Sequence, residues 1–107
     1  MSAQNIVEQL QLHLKNIYHR AVDADKNLEQ LQAQGYAKFK NLFKKDQGFS
    51  TDSNRFLPYV EEVAIELTNL PQQNTNPEDL EQIAQSITVL AETLEQFKEK
   101  ISELNQN

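Results

Sequence analysis

Apolar residues return along the first third of the chain in alternating steps of three and four: Val7, Leu10, Leu14, Ile17, Ala21, Ala24, Leu28 and Leu31. That spacing gathers them on one face of an α-helix, so a single long helix is predicted up to Gly35. Ile6, Leu12, Tyr18 and Val22 are expected to widen the stripe, as in a helix packed against two neighbours. Ser2 is placed to cap the start, and Gly35, tolerant of a left-handed backbone, to end it. A second stripe runs through Phe56, Val60, Val63, Leu67 and Leu70, with Pro58 in the first turn, where amide protons lack intrahelical partners. It is expected to stop at Pro71. The run Asn76-Pro77-Glu78-Asp79 then supplies a cap, a proline at the first helical position and two acids facing the helix dipole. From there Leu80, Ile83, Ile87, Leu90, Leu94, Phe97, Ile101 and Leu104 form the third stripe.

Between the first two stripes the pattern changes. Residues 36–43 are aromatic and basic and could form a short helix of about two turns. Residues 44–54 bring Gly48 among Ser50, Thr51, Asp52, Ser53 and Asn54, which favour turns and caps over helix interiors, and read as a loop. Short connections favour antiparallel neighbours. The expected fold is therefore all-α: a single domain, 1–107, built as an elongated antiparallel three-helix bundle, up-down-up, with a short extra helix or loop between the first two long helices. The first and last helices should each span roughly 40 Å at 1.5 Å per residue. The heptad-like stripes leave two uses open, closing the chain's own core or pairing with a second copy.

Composition narrows the class. With 107 residues, 38% hydrophobic and 24% charged, the chain can bury one core and is too patterned for a disordered segment. It holds no cysteine, so disulfides, thiolate metal sites and cysteine nucleophiles are excluded. The opening residues lack the basic and unbroken apolar stretches of a signal peptide, and no apolar run reaches the length of a membrane span, which leads us to expect a cytoplasmic protein without a membrane partner. A formal charge of −6 opposes whole-surface attraction to nucleic acid, so weak or no nucleic-acid binding is expected.

The candidate chemistry is sparse. His13 and His19, six apart, point to opposite sides of a helix instead of forming an i, i+4 metal clamp. Glu61, Glu62 and Glu66 form one acidic strip and Glu78, Asp79 and Glu81 another, both expected on solvated faces; the helix dipole accounts for the second. Phosphate loops, dinucleotide turns and nucleophile elbows are missing, so neither enzyme activity nor a metal or other cofactor is expected. The one local departure from acidity is Lys38, Lys40, Lys44 and Lys45, interleaved with Tyr36, Phe39 and Phe43 and followed by Arg55. Ammonium groups among rings suit an acidic peptide or single-stranded nucleic acid, whereas the plainer alternative sends the rings into the core with the lysines flanking them in water.

The long opening helix, the cluster Phe39-Lys40-Asn41-Leu42-Phe43, the helix start Phe56-Leu57-Pro58-Tyr59-Val60-Glu61-Glu62 and the last heptad helix from Leu80 together resemble the N-terminal half of the PriC family, bacterial primosomal replication restart proteins. The resemblance implies a non-enzymatic adaptor at stalled replication forks, in contact with single-stranded-DNA-binding protein and the replicative helicase. That family's basic C-terminal half has no counterpart in this sequence, so contact with helicase is the role the resemblance implies for this part. The alternative expectation is a homodimeric coiled-coil structural or regulatory protein that meets a basic partner through its acidic faces.

Overall fold

The computed structural model describes residues 3–35, 42–71 and 75–105, and these form an all-α three-helix bundle. Helix α1 spans Ala3–Ala33, α2 spans Leu57–Thr68 and α3 spans Pro77–Asn105. At 1.5 Å per residue the outer helices are about 46 and 43 Å long and α2 only about 18 Å. The molecule is correspondingly elongated, 51 × 24 × 17 Å. Residues 10–20 of α1 border the same surface hollow as residues 84–92 of α3, and residues 20–27 border another with residues 94–101. The two long helices therefore run in the same direction, and α2 returns between their ends.

The three stripes close on one another. Leu10, Leu14, Ile17, Ala21, Ala24 and Leu28 of α1 are buried with Val60, Val63 and Leu67 of α2 and with Leu80, Ile83, Ile87, Leu90 and Leu94 of α3. Val7, Leu31, Phe97 and Ile101, nearer the ends of their stripes, are only half-buried. A short α2 cannot cover partners more than twice its length, and two aromatic residues of the α1–α2 connection, Phe43 and Phe49, fill part of the space that remains.

The expected widening of the α1 stripe is corrected. Leu12 is 68% exposed and Tyr18 and Ile6 also face solvent; only Val22 is half-buried. Leu12 lies about 160° round the helix from the mean direction of the buried stripe at 100° per residue, so no neighbour in a three-helix bundle can reach it. The end of α2 is corrected too: the helix stops at Thr68, its carbonyls at Ile65 and Leu67 receiving the amides of Asn69 and Leu70, before Pro71. Gly35 does follow the end of α1 with φ +82°. The expected cap at Ser2 falls outside the described residues.

Candidate functional site

The connection between α1 and α2 is the most elaborate piece of local structure. Leu42 and Phe43 form a bend in place of the end of the expected short helix, whose remaining residues, 36–41, lie outside the described part. A single 3₁₀ turn follows at Lys45–Gln47, closed by Gln47 N donating to Lys44 O (3.1 Å) and by Lys44 N donating to Gln47 Oε1 (2.8 Å). Gly48 then takes φ +94°, a backbone region that L side chains rarely adopt, and turns the chain inward so that Phe49 enters the core.

Phe43 and Phe49 join Phe56 and Tyr59 in one buried aromatic cluster. The Phe43 ring lies 4.5 Å from Tyr59 and 4.8 Å from Phe49, and Phe56 meets Phe97 of α3 at 5.6 Å. Tyr59 is wholly buried, yet its hydroxyl is satisfied twice: it accepts from Ser53 N (2.9 Å) and donates to Ser53 O (3.1 Å). The connection is thereby fastened to the first turn of α2 by one side chain that supplies both packing and polar pairing.

Two carboxylates complete the fastening. Glu62 of α2 accepts from Ser50 N (3.0 Å), Thr51 N (2.6 Å) and the Thr51 hydroxyl (2.6 Å). Asp25 of α1 accepts from Phe56 N (2.6 Å) and Leu57 N (3.0 Å). The second pair of bonds solves a local problem, because the residue before α2 is Phe56, whose side chain cannot cap the first amides of a helix. Asp25 provides that cap from a different helix, 31 positions earlier in the sequence. Further along, Arg55 donates to Gln32 Oε1 (2.8 Å) and to Asn54 O (3.1 Å), tying the end of the connection to the last turn of α1. Among the described residues no buried side-chain nitrogen or oxygen lacks a partner.

The basic-aromatic patch divides accordingly. Phe43 is corrected from the expected binding surface to the core, as its plainer alternative had it, because the space above the short α2 needs aromatic volume. Lys44 is exposed, and Arg55 is half-buried with its guanidinium committed to Gln32 and Asn54. Tyr36, Lys38, Phe39, Lys40 and the side chain of Lys45 lie outside the described residues. Asp25 and Tyr59 are the positions that sequence reading missed, and Glu62, expected on a solvated acidic face, is corrected to a half-buried acceptor that holds Ser50 and Thr51. Asp25 carried a faint signal, an acid between Ala24 and Leu28 close to the buried stripe; Tyr59 carried another, a large ring one position before Val60 on the same face.

His13 and His19 are both exposed, and His19 packs edge-on against Tyr18 at 5.8 Å. Among the described residues no three His, Asp or Glu side chains are placed to hold a metal ion, and no helix is long and apolar enough to cross a membrane. Partial burial raises the carboxyl of Glu66 above its ordinary value, with repulsion from Glu62 adding to the effect. Between Phe56 and Phe97 the sequence holds no Lys, Arg or His, so the surface of α2 and the first two thirds of α3 carry only negative charge. Comparison with protein-family models, with curated proteins and with solved structures finds no match to this chain.

Proposed function

We propose that this chain is a non-enzymatic protein-interaction adaptor that presents its α1–α2 connection to a macromolecular partner. The observation that carries this reading is the fastening of that connection: side chains of α1 and α2 fix residues 50–57 in place, with exposed Lys44 beside them. Loops held by a rigid scaffold are where recognition residues concentrate, since a pre-ordered segment loses less entropy when it binds. Supporting it is the clustering of Lys38, Lys40, Lys44 and Lys45 within one short segment of an otherwise acidic chain, suited to acidic groups on a partner. The resemblance to PriC makes that partner a replication protein, the replicative helicase or single-stranded-DNA-binding protein, whose contact would give the adaptor its place at a stalled fork.

The test is titration of the intact chain against purified bacterial replicative helicase and single-stranded-DNA-binding protein, beside a Lys40→Glu/Lys44→Glu variant. Micromolar or tighter binding to one of them, weakened at least tenfold in the variant with helicity unchanged, is the expected result. Binding that ignores both substitutions would remove the patch, and no binding to either protein would remove the replication role.

A further inference from the structure

The three valleys of the bundle are not alike. Arg20 and Glu95 bridge the one between α1 and α3 at 3.0 Å. With α1 and α3 parallel, α2 reversed and all three helices right-handed, Tyr59 and Glu62 fall on the flank of α2 toward α3, where they hold the connection. Leu57, Glu61 and Ala64 fall on the opposite flank, toward α1. Asp25, bonded to the first amides of α2, marks the side of α1 that meets this flank. Tyr18 lies one heptad earlier, only about 20° from Asp25, and Val22 about 40° beyond Tyr18. Seven residues back from Asp25 and seven on from Leu57 reach the same level, so Tyr18 stands beside Ala64. Tyr18 is 46% exposed and Ile65, on the crest of α2, is 60% exposed, while Val22, Leu57 and Ala64 are half-buried. These five residues make one open apolar strip along the α1–α2 valley, about 18 Å long.

The rims of the strip carry opposite charge. Lys15 and Lys26 are exposed on α1, and Glu61 is exposed on α2, inside a stretch that holds no Lys, Arg or His. By the same reckoning Glu61 stands level with residue 21, about 9 Å along the axis from Lys15 and about 8 Å from Lys26. The rims are therefore out of step and do not neutralise each other; among the described residues the ion pair is Arg20–Glu95.

We infer that this valley receives an amphipathic helix of a partner protein, with acidic residues along its edge over α1 and basic residues along its edge over α2. About 12 residues of helix span the strip, and apolar side chains repeating at three and four positions would meet Tyr18, Val22, Ala64 and Ile65. The acidic edge would answer Lys15 and Lys26, and the basic edge Glu61. A second copy of this chain fits neither way. An antiparallel two-fold centred on the strip sets Lys15 against Lys26 and Glu61 against Glu61, all like charges. A parallel two-fold brings Glu61 of the second copy level with residue 21, as far from both lysines as before. Two copies would also cover only on the order of 350 Å² each, well short of the roughly 800 Å² per partner of a standard interface. The same small area makes the helix a transient occupant, with a Kd of tens to hundreds of micromolar.

The probe is a synthetic helical peptide of about four turns, with leucines on one face, glutamates along one edge and lysines along the other, titrated into the isotope-labelled intact chain and followed by amide chemical shifts. Saturable shifts are expected at residues 15–22 and 57–65. Tyr18→Ser/Ile65→Ser, which alters two exposed side chains, should weaken binding about tenfold or more, with helicity by circular dichroism unchanged. Glu61→Lys should weaken it about threefold, and unaltered affinity in that variant would overturn the charged edges. No saturable shift even at millimolar peptide, or shifts centred on Arg20 and Lys98 in the α1–α3 valley, would overturn the site. Shifts of the same residues when the chain is diluted without peptide would make a second copy the occupant and overturn the partner helix.

Discussion

The two connections of this bundle solve the same problem by opposite means. At the start of α3 everything is local: Asn76 Oδ1 accepts from Glu78 N at 3.0 Å, Pro77 opens the helix, and Glu78 and Asp79 sit in the first turn. At the start of α2 Pro58 is local but the cap is not. Phe56 offers no cap, and the first amides bond to Asp25, a residue of α1. One helix start is written in four consecutive residues and the other in residues 31 positions apart, so the first could form before the bundle does and the second only with it. A helix start of the second kind locks its neighbouring segment to the tertiary structure, which is what a binding surface needs and a mere linker does not.

Substitutions in the two regions should separate them clearly. The largest expected effect is in the aromatic cluster: Phe43→Ala should cost about 3 to 5 kcal/mol in chemical denaturation, as for a large ring removed from a core. Thr75→Ala in the other connection, which loses only a hydroxyl bond to Pro71 O at the surface, should stay within about 0.5 kcal/mol. Equal costs would erase the distinction. Next comes the pair of caps. Asp25→Ala leaves two amides of α2 without their acceptor and should cost roughly 2 kcal/mol, against about 1 kcal/mol for Asn76→Ala. A smaller loss at Asp25 than at Asn76 would mean that water replaces the remote cap.

These differences also decide how much the sequence discloses. The three stripes were legible because a period of 3.6 is a property of each helix by itself, and Leu14, Val63 and Leu90 are buried where that period puts them. The start of α3 was legible for the same reason, since each signal acts within one turn. Leu12 misled because hydrophobicity was counted without its angle, and in the structure it points away from both neighbours. Asp25, Tyr59 and Glu62 were not legible as anchors. A carboxylate that caps another helix looks, in one dimension, like any surface acid, and its meaning depends on a contact that exists only after folding. For the candidate site the same limit applies: the lysines could be located in the sequence, but the brace that holds residues 50–57 could not.

Two smaller effects sharpen the contrast within α2. Glu62→Ala should free Ser50 and Thr51 and cost on the order of 1 to 2 kcal/mol, with Leu90 and its neighbours undisturbed. Its neighbour Glu66 should behave in the opposite sense. Its folded-state pKa is raised, so between the unfolded and folded values the native state holds the proton more tightly, and stability falls as pH rises through that window. Above the window the charge is a net liability. Glu66→Gln is therefore expected to raise the melting temperature slightly at pH 7, by no more than about 0.5 kcal/mol of stability given the solvent screening at this surface. Well below the ordinary glutamate range the variant and the native chain should coincide. A loss of stability at pH 7 would reverse the sign assigned to Glu66.

Amide hydrogen exchange on the intact chain, resolved by residue, is the most direct test of the braced α1–α2 connection. The amides of Ser50, Thr51, Ser53, Phe56 and Leu57, whose acceptors are Glu62, Tyr59 and Asp25, should be protected well above exposed-loop rates. In an Asp25→Ala/Glu62→Ala variant that protection should fall for Ser50, Thr51, Phe56 and Leu57, while amides near Leu90 in α3 stay protected. Exchange of those five amides at free-loop rates in the native chain would contradict a braced connection.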